Sequence, residues 1–198
     1  MRTILTFFIC LFLSTASFAD YYKATIVYSD GKTRSGLVEQ TLGGIILFKA
    51  SEKAEVEKIE SSLLKSITVQ GKDELREYYY LKVYLGWGQK RISDPMWLKV
   101  VEKGTATLLV NNTTMRGSIH TTTTAQFSDY FCIREGEPAA KMIANISTLN
   151  NNQTFRAKAP LYFADYPELA AKIKSKEYTW KDLQLVVIEY NKWAAKKK

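Results

Sequence analysis

Histidine occurs once in this 198-residue chain and cysteine twice, which removes most metal and thiol chemistry before any pattern is read. Structural zinc takes three or four Cys and His ligands, and His120, Cys10 and Cys132 are the whole supply. His120 would have to serve any Ser-His-Asp or Cys-His mechanism, with Ser118, Ser128, Asp129 and Cys132 near it in sequence. Such partners are recognised by geometry, not by chain order, and a histidine followed by Thr121-Thr122-Thr123-Thr124 reads as a solvated loop residue. Glycine is sparse, and neither Leu42-Gly43-Gly44 nor Gly86-Trp87-Gly88 is followed by the Lys-Ser/Thr of a phosphate loop. The acids at positions 52–60 and at Asp73-Glu74 alternate with lysines and lack calcium-loop spacing. No metal and no cofactor is expected.

Long apolar runs are missing too. The longest, residues 4–13, contains only Thr6 as a polar residue and is about half of the roughly twenty residues that span a bilayer. Arg2 precedes it and Ser17-Phe18-Ala19 follows, with small residues two apart. That is the charge, apolar core and small-residue cleavage site of a secretory signal peptide. The expected cut lies between Ala19 and Asp20. Cys10 sits inside the apolar run and not after it, so it is not placed for lipidation. The mature chain is expected to be exported, to the periplasm or beyond, with no transmembrane anchor after cleavage. It keeps one cysteine, Cys132, which cannot form an internal disulfide and reads as a small buried apolar residue.

Charge of one sign is not massed. Lys and Arg number 28 against 20 acids, a net +8. They are scattered, as in Glu52-Lys53-Ala54-Glu55-Val56-Glu57-Lys58. This is a solvated surface, so no nucleic-acid partner is expected; an anionic polymer is an alternative that a basic balance leaves open.

What is present is a core's worth of apolar residues, 46% of the chain, with aromatics at 13%. In residues 20–70, strand-like Lys23-Ala24-Thr25-Ile26-Val27-Tyr28 meets Ser29-Asp30-Gly31-Lys32, a hairpin signal because glycine accepts positive φ. Returns over residues 33–39, 45–49, 56–59 and 66–69 predict a small bent sheet or barrel. Residues 71–153 predict an antiparallel sheet. Its strands include Tyr78-Tyr79-Tyr80-Leu81-Lys82-Val83-Tyr84, residues 96–101, 105–110 and 127–134, with loop tips at Asn111-Asn112-Thr113-Thr114 and residues 121–124. Residues 154–198 turn helical. Pro160 limits a short helix over residues 155–163, and Asp165-Tyr166-Pro167-Glu168 starts a second. Thr179 and Asp182 form a variant capping box for the last. Trp180, Leu183, Val187, Tyr190 and Trp193 recur at helical spacing, a face made to cover a sheet. The fold class is α+β: β-rich N-terminal and middle parts under a C-terminal helical cap.

The run Leu161-Tyr162-Phe163-Ala164-Asp165-Tyr166-Pro167-Glu168-Leu169, then Lys176-Glu177-Tyr178 and Tyr190-Asn191, resembles the C-terminal end of a family of small secreted bacterial proteins. Trp97-Leu98-Lys99-Val100-Val101-Glu102-Lys103-Gly104 resembles a phrase in the middle of its members. That family carries no assigned activity and supplies no catalytic residue; the resemblance implies a bacterial envelope setting. There, the Asn-x-Ser/Thr triplets at Asn111, Asn112, Asn145 and Asn152 mean only that the chain is rich in Asn and Thr.

The remaining functional signal is aromatic. On a strand, Tyr78 and Tyr80 share one face and Tyr79 takes the other. Tyr80, Trp97 and the turn residue Trp87 are the candidate ligand-binding aromatics, set against the simpler reading of a sheet covered on both sides. The expected role is a non-catalytic envelope or extracellular interaction protein, its partner an envelope protein or a glycan. A secreted hydrolase using a pair of carboxylates that no motif singles out is the alternative.

Overall fold

The computed structural model describes residues 20–39, 42–85, 90–116, 124–146 and 152–197. The leader, its Ala19, and the candidates Trp87 and His120 lie outside these; Asp20 is the first described residue and is exposed.

The first hairpin forms where Asp30-Gly31 predicts it. Strand β1 (Tyr21–Tyr28) turns through Gly31, whose φ is 88°, into β2 (Thr33–Glu39). The Asp30 carboxylate accepts the backbone N–H of Lys32 at 3.0 Å and fixes the turn. β3 (Ile45–Lys49) and β4 (Glu57–Glu60) follow. A single 3-10 turn, Ser61–Leu63, then leads into β5 (Leu64–Gln70). Lateral order is β5-β1-β2-β3-β4. Ala24, Ile26, Val38, Ile46, Phe48, Ile59, Leu64 and Ile67 bury their side chains together, so the five strands curl around one apolar cluster. Gly36 is required by that curl: a Cβ there would lie 2.3 Å from the Lys49 carbonyl oxygen and 2.5 Å from the Phe48 ring. The ladder does not close into a barrel, because β4 pairs only with β3.

The middle strands do not form a second sheet. β6 (Leu75–Leu81) pairs with β5, and β9 (Met96–Glu102), β10 (Ala106–Arg116), β11 (Thr124–Arg134) and β12 (Lys141–Ile146) extend the same sheet to ten strands. Between β6 and β9, β7 (Tyr84–Leu85) and β8 (Arg91–Ile92) make a small separate hairpin. Asn111 to Thr114, expected as a loop tip, belong to β10: Asn112 pairs with Ser128 and Thr113 with Phe127. Two polar strands hold each other there by backbone bonds, which composition does not show.

Three helices finish the chain: α1 (Gln153–Tyr162), α2 (Pro167–Lys174) and α3 (Leu183–Ala195). Pro160 lies in the last turn of α1, where the helix ends two residues later. Thr179 and Asp182 do form the reciprocal cap, on a 3-10 turn that runs into α3. Leu183, Val187 and Tyr190 pack with Ala106, Leu108, Cys132 and Ala144, so the helical face covers the sheet. The α+β class with a helical cap is what the chain adopts. Among the described residues no helix is long and apolar enough to cross a membrane.

Candidate ligand-binding groove

Strand registers place the site. Paired residues share a sheet face, and one row runs Ile26, Ile67, Tyr78, Lys99, Val110, Tyr130, Ala144. Ile26 and Ile67 belong to the curled N-terminal cluster, while Tyr130 and Ala144 lie under the helices. Lys99 stands in the gap between the two covered ends. The gap is a groove. One cavity of about 490 Å³ is lined by Glu74, Lys99, Val110, Asn112, Tyr130 and Gln184, among others. A second of about 280 Å³ shares Lys99, Val110 and Asn112 and reaches Leu42, Tyr78 and Trp97.

The polar groups converge from four directions. Glu74 comes from the turn before β6 and accepts from Lys99 Nζ at 3.1 Å and Arg76 Nε at 2.9 Å. Those hydrogen bonds, Lys99 first, hold its carboxyl below the usual carboxylate range. It is exposed, so this pairing contributes little stability. Asn112 accepts from the Ser128 hydroxyl at 2.8 Å. Gln184 enters from the first turn of α3 and donates to Glu102 at 3.0 Å. Burial pushes the Tyr130 phenol up, so it stays a neutral hydroxyl.

The structure brings two of the three candidate aromatics together. The Tyr80 and Trp97 rings are 5.0 Å apart, tilted at 46°. Trp97 Nε1 donates to the Gly43 carbonyl at 3.1 Å and the Ser61 hydroxyl at 3.0 Å. It is therefore a strut tying β9 to the curled part, with one edge left to line the smaller cavity. Tyr79 takes the opposite face, against Leu98, Leu109 and Phe131. Cys132 is buried beneath the helices, and burial pushes its thiol up, the reverse of a nucleophile's shift.

The Tyr162–Asp165 run and Tyr190-Asn191 dock the helices. The Arg134 guanidinium lies between the Tyr162 ring (4.5 Å) and the Tyr190 ring (4.9 Å). It donates to the Tyr162 carbonyl at 2.8 Å and to Asp165 at 3.0 Å, and Asp165 also accepts the Tyr190 hydroxyl at 2.7 Å. The Asn191 amide accepts from Ala106 N at 2.8 Å and donates to Ala106 O at 2.9 Å, pairing with β10 as a strand residue would. A Cβ on Gly104 would collide with that amide at 2.2 Å, which explains the glycine. Sequence reading missed the roles of Lys99, Asn112 and Arg134, although the Trp97–Gly104 phrase, Tyr78 and the Asn111–Thr114 run all pass through the groove.

Comparison with family models, with curated proteins and with solved structures finds no match. The groove therefore has to be read from its own chemistry.

Proposed function

We propose that this chain is exported to the periplasm or cell exterior of a bacterium and works there as a non-catalytic interaction protein, holding its partner in the groove around Lys99. The observation that carries the reading is the groove itself. Sites of this kind are concave, lie where two structural units meet, and place a few convergent polar groups over an apolar floor. Val110, Val101 and Tyr130 are the floor; Lys99, Asn112 and Gln184 are the convergent groups.

The hydrolase alternative draws less support. Glycoside cleavage takes two facing carboxylates, one of them with a raised pKa; among the described residues Glu74 is the only acid lining the larger cavity, and its shift is downward. Retention by an anionic polymer also draws less support: among the described residues Arg34, Lys103, Lys141 and Lys172 each pair with an acid, and Arg76 and Lys99 share Glu74.

Two measurements test the proposal. Full-length chain expressed in a bacterium should fractionate with the periplasm or medium and begin at Asp20; intact chain in the cytosol would overturn the location. Amide chemical shifts should then be followed during titration with an N-acetylglucosamine oligosaccharide and, separately, with peptides selected on the folded chain. Saturable shifts at Tyr78, Lys99, Asn112 and Tyr130, weakened about tenfold by Lys99→Ala, are expected. Shifts scattered over the surface, or none with either probe, would overturn the groove as the binding site.

A further inference from the structure

A ten-stranded open sheet has two outer edges, and this one protects both. Edge strand β4 is four residues long and carries Glu57, Lys58 and Glu60, with Glu57 engaged by Arg34. The β12 edge is covered by α1, whose Phe155 and Ala159 pack with Ile143 and Ala144. Short charged strands and covering helices are the usual means of stopping an edge from pairing with another chain.

A third edge lies inside the sheet and, among the described residues, has neither protection over Asn111 to Thr114. The ladder between β9 and β10 ends at Lys99–Val110, although β9 begins at Met96 and β10 continues to Arg116. Met96 and Trp97 still pair with β6, and residues 111–116 of β10 still pair with β11. Among the described residues, nothing pairs with the other side of β10 beyond Val110. The sheet therefore forks. The smaller cavity sits in the crotch, between Leu42, Tyr78 and Trp97 on one arm and Asn111 and Asn112 on the other. Asn112, Thr113 and Thr114 are exposed and uncharged. From Asn111 to Thr114, ahead of Arg116, the open edge carries no charge, and such an edge is a liability in a folded protein unless it has an occupant.

We infer that the fork is a strand-addition site, where a single extended segment of a partner polypeptide hydrogen-bonds along residues 111–114 of β10 and sets a carboxylate side chain at Lys99. The inference rests on the interaction reading above and names the partner's chemistry. The charge argument is local. Lys99 and Arg76 share one oxygen of one carboxylate, Glu74 Oε1, so the closed end of the fork carries a cation in excess. Width argues for one strand: the curled part stands across the crotch through Leu42 and Trp97, leaving about 280 Å³, too little for a second sheet. In strand addition the main chain supplies affinity and alternate side chains supply specificity.

The test uses the full chain after leader removal and a displayed library of random linear peptides. A selected peptide should slow hydrogen exchange at least about tenfold for those amides of residues 111–114 that point away from β11. N-methylation of its alternate amides should weaken binding about tenfold or more, because the methyl removes the ladder donor. Lys99→Ala should weaken a glutamate-bearing peptide while leaving its glutamine version unchanged. Equal binding of the N-methylated peptide, or selected peptides that leave those amides unprotected, overturns strand addition. So does an N-acetylglucosamine oligosaccharide that alone shifts Lys99 and Asn112, which would leave the broader interaction reading standing. Protection of the same amides that grows with protein concentration, without peptide, would assign the edge to a second copy and overturn the single-strand occupant.

Discussion

The curled N-terminal sheet and the larger C-terminal cap bury their apolar side chains by different means. The first closes over an apolar cluster through strand pairing, with the Arg34–Glu57 pair at its surface. The second is tied down by polar clamps between distant segments, Arg134 to Asp165 and Asn191 to Ala106. An apolar cluster is indifferent to pH and direction, whereas a clamp demands geometry and a protonation state. The two regions should therefore fail differently.

The largest effect should come from the apolar side. Phe48 is 1% exposed, packs among Ile26, Val38 and Ile46, and lies 4.5 Å beneath the Arg34 guanidinium. Phe48→Ala removes the ring and leaves a cavity, so unfolding free energy should fall by about 3–5 kcal/mol in a denaturant titration. Retained stability would mean that the curl collapses onto the hole and that the cluster is not the closely packed unit described.

The polar side should lose less. Arg134→Ala removes two charge-assisted hydrogen bonds and the packing of the guanidinium between two rings. Arg134 is partly solvated, so the cost should be about 2–3 kcal/mol. The comparison sharpens if Trp180 and Trp193, which pack on the cap, report an earlier transition in this variant than amides of β1 and β2. A single coincident transition would show that the continuous sheet makes both regions one cooperative unit.

The two regions also differ in how much of them was legible. The Asp30-Gly31 hairpin, the Pro167 helix start and the Thr179–Asp182 cap were readable, since each is set within a few residues; Asp165, expected to cap that helix, instead holds Arg134 and Tyr190 while Tyr166 takes the N-cap position. Their energetics are local and so is their signature. Strand adjacency is not. Nothing in Lys72-Asp73-Glu74 says that β6 continues the sheet of β5, so two sheets were expected where one formed. Asn111 to Thr114 looked like a loop because both faces are polar, which is what an uncovered two-stranded ribbon requires. Lys99 reads as an outward lysine on an ordinary strand; it becomes a site only because β10 departs at Val110. Arg134 meets Tyr162, Asp165 and Tyr190 across 28 to 56 residues of chain, and no local pattern encodes such a meeting.

Alkaline pH should separate the regions further. Burial, then the bond to Asp165, pushes the Tyr190 phenol from 10.0 up to about 12. A raised folded value means that the native state keeps a proton the unfolded chain has lost. The associated stability is complete below pH 10 and drains away as pH rises towards 12, by about 2 kcal/mol in all. Tyr162, Tyr166 and Tyr178 on the cap shift in the same direction. Unfolding followed at pH 9 and pH 11 should show this loss, and Tyr190→Phe, which keeps the ring and removes the titrating hydroxyl, should reduce it. An unchanged slope in that variant would take Tyr190 out of the account.

The smallest effect belongs to the ground between the two regions. Lys99 touches Glu74, a partner exposed to solvent, and stands outside all three apolar clusters. Exposed ion pairs contribute about 0–1 kcal/mol because water and salt screen them and ordering two long side chains costs entropy. Lys99→Ala should therefore move the unfolding free energy by no more than about 0.5 kcal/mol, while binding in the groove falls about tenfold. That split is the sign of a residue kept for a partner and not for the fold. A loss of stability as large as that of Arg134→Ala would instead make Lys99 a brace between the curled sheet and the cap, and the groove a seam.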